Sequence, residues 1–315
     1  MDLRHLRYFL AVADAGHITR AAEALGIQQP PLSQQIRALE AELGCTLFHR
    51  LPRGVSLTAA GRLLAEDARR LLGDADGLLA RMRRVGAGEE GELSVAFTSS
   101  ASAHGLAPAL LRRLRQDRPG IRVQVREHNA AEIMEGVKAG HLDAGLLRRL
   151  VAEPEGLSVE TLLEEEMVLA LPQDHPLARR ARPGAPLARL PSLPLEALRD
   201  ETFLLVRRPG APGMYGDLLA LCGRLGFAPR IGAEVERMMT NLNLVAAGAG
   251  VSVVPASMRD KESGNVAYFR LRRDQRLAAP LTLVYRAGPG NAALDALVQA
   301  ARQAAAALRK AAGNR

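Results

Sequence analysis

The 315-residue chain is 48% apolar but only 3% aromatic and has no Trp, so its cores must come from Leu, Val and Ala, and its length fits two or three domains. No apolar run reaches the roughly 18 residues of a membrane-spanning helix, the N-terminus interleaves charge with apolar residues unlike a secretory signal, and Cys45 and Cys222 are too far apart for a disulfide framework or a metal site, so a cytoplasmic protein is expected. A net charge of +8 suggests a polyanionic partner, yet residues 1–91 hold 12 basic and 11 acidic side chains; the excess lies later, where many Arg residues belong to solvated helix faces.

Residues 2–15 put Leu3, Leu6, Phe9, Leu10 and Ala13 on one helical stripe. His5 and His17 stand alone, suited to surface or capping roles. From Thr19 to Leu43 two helical patterns meet at a sharp break. Ala21, Ala22 and Leu25 form the first face, and Gly26 closes it, as a helix end needing positive φ requires. The second begins at Gln28-Gln29-Pro30-Pro31 and carries Leu32, Ile36, Leu39 and Leu43. Proline is tolerated in a first helical turn because its missing N–H had no partner there. An ordinary helical hairpin would explain this much. The outer face of the second helix, with Gln29, Ser33, Gln34 and Arg37, favours a helix-turn-helix instead, since Gln and Arg pair bidentately with adenine and guanine edges.

Leu47-Phe48 and Val55–Leu57 read as a two-stranded wing around Arg50 and Arg53, which are placed for phosphates or a minor groove; the alternative is a solvated hairpin. Thr58 is a helix N-cap. From it to about Val85, the residues Leu57, Leu64, Ala68, Leu71, Ala75, Leu78, Met82 and Val85 follow a heptad seam, with Gly61 in one slot. A long helix with one apolar seam needs a partner, so a dimerisation helix is expected, or else a helix lying on its own domain.

Gly86–Gly91 reads as a linker, and the pattern beyond it changes. Strands at 93–97, 121–126 and 143–147 alternate with helices at 106–116 and 131–139, a βαβαβ unit implying a parallel sheet. A second such unit is expected from about Val168: strands at 203–206, 231–235 and 251–254, and helices at 215–225 and 238–247. Later strands at 266–271 and 281–286 and an Ala-rich helix at 292–309 complete it. The Pro-rich 176–194 segment reads as an irregular loop and the last five residues as frayed.

The segment LRHLRYFLAVADAGHITRAAEALGIQQPPLSQQIRALEAELGCTLFHR, followed by LTAAG, resembles the DNA-binding domain of LysR-type transcriptional regulators, and EIMEGVKAGHLDAGLLR, MVLALPQDHPLA and LVAAGAGVSVVPASM are similar to the family's effector domain in the right order. The opening LRHLRYF and the QQPPLSQQI segment are most similar to the branch regulating aromatic-compound catabolism. The resemblance implies an α/β chain with a winged helix-turn-helix at 1–57, a linker helix at 58–88 and a two-subdomain periplasmic-binding-protein-like domain at 92–315, subdomain I taking about 92–163 and 268–315 and subdomain II about 164–267. It also implies a tetramer on an interrupted-dyad promoter site, a small effector that changes DNA bending, recruitment of RNA polymerase, and no cofactor or membrane partner.

Two facing βαβ subdomains create a cleft at the strand ends, a favoured ligand position. Thr98-Ser99-Ser100 ends the first strand, where hydroxyls and a helix start can take an anion, unless they only cap the helix. The family's ligand-contacting Ser falls on Ser100, or on Ser99 with a one-residue shift. Where related regulators often have Thr, this chain has Ala130, so His128 or Asn129 would supply polarity. Arg148 matches an Arg of muconate-responsive relatives and could hold a carboxylate, while Arg149 reads as solvated. Gly213 and Met214 stand where those relatives have Asn and Phe, which argues against muconate and for a softer wall. A small carboxylate, aromatic ones included, is the expected effector. The alternatives are a ligand-independent repressor, a thiol switch at Cys222 (which lacks a resolving partner), a transport solute-binding protein, and an enzyme, for which no phosphate-binding loop, zinc spacing or nucleophile elbow is present.

Overall fold

The computed structural model describes residues 1–150, 154–206, 215–261, 264–288 and 291–313, and the chain divides into two compact units, 1–84 and 85–315. No helix among the described residues is long and apolar enough to cross a membrane.

The first unit opens with α1 (Leu3–Ala15), α2 (Ile18–Ala24) and α3 (Gln29–Leu43). Asp2 and His5 cap α1 reciprocally, and the His17 ring accepts the Thr19 N–H at the start of α2, so both histidines are capping groups. Gly26 takes φ +64°, and Pro30 and Pro31 fill the first turn of α3, as their backbone chemistry requires. The buried stripe of α1 is Leu6, Phe9 and Val12 rather than one running through Leu3, which is exposed, as is Leu43 of α3. Val12 joins Ala21, Ala22, Leu32, Ile36 and Leu39 in a single core.

Strands β1 (Phe48–Leu51) and β2 (Gly54–Leu57) form the wing, pairing antiparallel. Val55 donates its N–H to the Gly16 carbonyl, and a Cβ at Gly54 would meet that oxygen at 2.3 Å, so only glycine lets the wing sit so close to the α1–α2 corner. Then α4 (Ala59–Gly86) follows, with the Thr58 hydroxyl accepting the Gly61 N–H. The glycine in the heptad slot has a local cause: Gly61 lies against the Leu47 carbonyl, where a Cβ would fall 2.2 Å from the oxygen. Gly61, Ala65 and Ala68 are buried in this unit's own core, but Leu71, Leu78, Met82 and Val85 are 43–50% exposed.

The second unit is built on an eight-stranded sheet. Its first lobe holds β3 (Glu90–Phe97), the one-turn α5 (Ser99–Ser102), α6 (Leu106–Asp117), β4 (Gly120–Glu127), α7 (Ala130–Ala139) and β5 (Ala144–Leu147). The strands run parallel in the order β4-β3-β5, as the βαβαβ pattern requires. Glu90 and Gly91 lie in β3, so the linker expected at Gly86–Gly91 is reduced to a turn at Ala87-Gly88.

The largest departure is β6 (Leu157–Pro172), 16 residues long, where a strand was expected only from about Val168. Residues 167–172 read as a continuous apolar run because both faces are covered. Met167, Leu169 and Leu171 pack towards one layer and Val168 and Ala170 towards the other. The preceding Glu164-Glu165-Glu166 hid the first half of the strand in the sequence.

The second lobe continues with β7 (Ser192–Leu193), β8 (Thr202–Val206), α8 (Gly216–Arg224), β9 (Arg230–Val235), α9 (Met238–Ala246), β10 (Ser252–Pro255) and β11 (Val266–Leu271). The chain then returns through β12 (Ala278–Arg286) to α10 (Ala292–Gly313), a helix that runs on through residues expected to fray. The first half of β6 pairs with β12 and the second half with β10 and β11, so one strand belongs to both lobes. Helices α6 and α10 cover one face of the first lobe and α7 the other; α8 and α9 cover opposite faces of the second.

Candidate functional site

In the first unit, α3 turns Leu32, Ile36 and Leu39 inward. The other side of the helix carries exposed Gln29, Pro30, Pro31, Gln34 and Arg37, with Ser33 half-buried between them. None of the Gln29, Gln34 and Arg37 side chains meets a partner among the described residues, whereas Gln35 is held by His5 at 2.7 Å. Arg50 is exposed on β1 and Arg53 at the wing turn, also without partners among the described residues. These free amides and guanidinium groups project donors and acceptors from a rigid helix and hairpin, the arrangement that reads base edges and meets phosphates.

In the second unit, α5 and the strand ends of the first lobe face the start of α9 and the turn after β10. Thr98, not Ser99 or Ser100, caps α5, accepting the Ala101 N–H at 3.4 Å. Ser99 reaches across the lobes, and its hydroxyl oxygen accepts the Met238 N–H at 3.0 Å. Ser100 is buried, and its carbonyl accepts from Arg148 at 2.7 Å.

Arg148 is not an open receptor for a carboxylate. It already holds one from the chain itself, Glu165 of β6, at 2.6 Å, with side-chain exposures of 4% and 13%. Ser257 locks the pair, donating its N–H and hydroxyl to the two Glu165 oxygens at 2.7 and 2.8 Å while accepting from Arg148 at 3.2 Å. Within this cluster the Arg148 Nε is the atom without a hydrogen-bond partner among the described residues. Burial depresses the basicity of the guanidinium, and Glu165 opposes that shift. His104 lies within this field; burial lowers its pKa, Glu165 works against that, and Arg148 adds to it, so the ring is neutral at pH 7 and accepts the Leu106 N–H at 3.0 Å.

Asn129 is likewise consumed. Its side chain accepts the Glu132 N–H, and Glu132 caps its backbone in return, so the amide starts α7. His128 faces Glu132 at 3.4 Å. Arg149 is paired, not merely solvated: it bridges from the end of β5 to Asp217 in the first turn of α8. Glu127, at the end of β4, pairs with Arg237, just before α9. Gly213 and Met214 lie outside the described residues. The sequence reading missed Glu165, Ser257, His104, Glu127 and Arg237. Its usable signal was the acidic run Glu164-Glu165-Glu166 standing next to a fully apolar strand half.

Cys222 is buried on α8, and burial pushes its thiol up to about 11, so it stays protonated at neutral pH; Cys45 is exposed and both are free.

A family model described as "Bacterial regulatory helix-turn-helix protein, lysR family" matches residues 3–62, and one described as "LysR substrate binding domain" matches residues 86–306. The chain belongs to the LysR family of bacterial transcriptional regulators. The HTH-type transcriptional regulator YnfL of Escherichia coli is 42% identical over 259 residues, 82% of this chain and 84% of that protein. The probable cat1 operon transcriptional activator of Acinetobacter lwoffii is 36% identical over 303 residues, 96% of either chain. Among solved structures, full-length CbnR complexed with its target DNA is similar with a TM-score of 0.77 at 32% identity, covering 97% of this chain and 100% of that one. The regulator is therefore a DNA-binding protein and not an enzyme.

Proposed function

We propose that this regulator binds double-stranded promoter DNA at an interrupted dyad through Gln29, Pro30, Pro31, Ser33, Gln34 and Arg37, with Arg50 and Arg53 on phosphates. The unpartnered polar face of α3 supports the assignment. Pairing of two copies along α4, and of two pairs into a tetramer, is supported by the exposed seam of Leu71, Leu78, Met82 and Val85. A charge substitution such as Met82→Glu should shift the sedimentation coefficient toward a smaller species, and an unchanged one would remove α4 from the interface.

The cleft between the lobes takes a small carboxylate, aromatic ones included. What supports this reading is that Ser99 reaches across the lobes to the Met238 N–H, while the Arg148–Glu165 pair, next to Ser100, lies where β6 passes from one lobe to the other. A carboxylate effector there competes with Glu165 for Arg148, and its binding energy difference between two lobe arrangements sets how far it can shift the assembly, its grip on bent DNA and its contact with RNA polymerase. His128 supplies polarity at the cleft edge.

A second reading, a repressor that needs no effector, is favoured by one observation: Glu165 already satisfies the arginine. Footprinting upstream of the regulator's own gene with and without benzoate separates the two. A footprint that changes in length or in hypersensitive sites supports the effector reading; one unchanged by every benzoate and dicarboxylate tried supports the second.

A further inference from the structure

Helix α9 carries one polar side chain on a buried face that is otherwise apolar. That face consists of Met238, Asn241, Leu242 and Val245. The three apolar residues belong to the layer that also takes Val168 and Ala170 of β6. Asn241 is 0% exposed, and neither its Nδ2 nor its Oδ1 has a hydrogen-bond partner among the described residues. An amide taken out of water with both ends unpaired is costly, and asparagine is a poor residue for a helix interior. A leucine would remove both costs. A buried polar group that the fold does not satisfy marks a place where stability yields to another requirement.

The place is the joint between the lobes. One turn before Asn241, the Met238 N–H is held by the Ser99 hydroxyl of α5. Helix α5 packs against α9, and Ala103, just after α5, lies against the same apolar layer. Ser100 gives its carbonyl to Arg148, and Arg148 also bonds Ser257, whose neighbours Ala256 and Met258 belong to that layer. Two unsatisfied buried groups therefore border one junction: the Nε of Arg148, a charged donor, and the amide of Asn241, a donor and an acceptor together. They call for different chemistry. An ionised carboxylate only accepts, so it suits the Nε but would set negative oxygens against the Asn241 Oδ1. A hydroxyl can accept from Nδ2 or donate to Oδ1, so it suits either end of the amide.

We infer that Asn241 sets the specificity of the cleft by selecting effectors that carry a hydroxyl beside the carboxylate. The inference rests on the carboxylate reading given above. Arg148 takes the acid and Asn241 takes the hydroxyl. An acid without the hydroxyl leaves the amide as unsatisfied as before, so Asn241 decides which acids bind well rather than whether an acid binds.

The test is titration calorimetry of the full chain with two matched series: benzoate against 2-, 3- and 4-hydroxybenzoate, and butyrate against 3-hydroxybutyrate. In at least one series a hydroxy acid should bind about tenfold or more tighter than its plain acid. Asn241→Leu, close in size and without the amide, should bring that ratio to about one by weakening the hydroxy acid, and should raise the melting temperature of the ligand-free protein. Asn241→Thr, which keeps a hydroxyl as donor and acceptor, should retain part of the preference and serves where the leucine variant does not fold. Equal binding of plain and hydroxy acids by the parent protein would overturn the inference and leave the carboxylate reading standing. A preference that survives in Asn241→Leu would overturn it too, giving the hydroxyl to another residue and Asn241 to a buried water. No binding in either series would remove the carboxylate reading and this inference with it.

Discussion

Arg148 and Glu165, 17 residues apart in the chain and on neighbouring segments of the two lobes, form a 2.6 Å ion pair that is nearly closed to water. Taking both charges out of water is costly, and the pair persists because Ser257, the Ser100 carbonyl and the Ala279 carbonyl complete its hydrogen bonds. Breaking it from one side strands a charge. Glu165→Gln should lower unfolding free energy by about 3 kcal/mol, and Arg148→Met by a similar amount, whereas the double variant Arg148→Met/Glu165→Met should recover most of the loss. Urea denaturation of the three variants reads this directly. Additive losses in the double variant would mean that the two side chains are not coupled.

The recognition face makes a split prediction. Arg37→Ala should cost about 1–3 kcal/mol on the operator and relax base preference at one position. Arg53→Ala should weaken all sequences alike and reduce the salt slope of binding by about one. Gel-shift titrations at several salt concentrations distinguish these outcomes, and a sequence-independent loss for Arg37→Ala would make it a phosphate contact.

Two glycines of α4 should respond with opposite signs. Gly73 has nothing within 4 Å of where a Cβ would stand, so Gly73→Ala should stabilise by up to about 1 kcal/mol, the helix-propensity gain. At Gly61 the same change puts a methyl 2.2 Å from the Leu47 carbonyl and should destabilise by about 1–3 kcal/mol. Thermal melts of the two variants compare them, and a stabilised Gly61→Ala would contradict the close approach of helix and wing.

His104 predicts a pH effect of definite sign. Its folded pKa is lowered, first by burial, below the ordinary value of 6.5. The unfolded chain therefore takes up the proton first as pH falls, so the stability tied to the neutral ring is complete above about pH 6.5 and is lost as pH drops through the folded value. His104→Gln should flatten the stability profile below pH 6.5 relative to the parent. Parallel profiles, measured as urea midpoints from pH 7.5 to 5, would show that the ring titrates as it does in the unfolded chain.

Most of the elements were legible because their signals are local. The βαβ alternation, the Pro-Pro helix start, Gly26 at the corner and the capping histidines each follow from a few neighbouring residues. The misses share a different cause. Leu3 was preferred to Val12 because one helical stripe can be drawn through either until the facing helix is known. The first half of β6 was hidden because its outward and junction-facing acids break the apolar pattern. Glu165 went unseen as the partner of Arg148 because nothing in either segment specifies which strands will be neighbours. Asn129 and Arg148 were read as open to a ligand because a sequence shows which groups are polar, not which of them the fold has already satisfied.

The shared strand β6 constrains how this regulator can move. Its first ten residues are laced to β12 and its last six to β10 and β11, so sliding or parting the lobes would tear a hydrogen-bonded ladder along its length. Rotation about the strand axis near Glu166-Met167 breaks none of those bonds. β6 is thus the spine that the two lobes share, and it carries Glu165 next to the place where its pairing passes from β12 to β10 and β11, so a twist between the lobes turns about the ion pair.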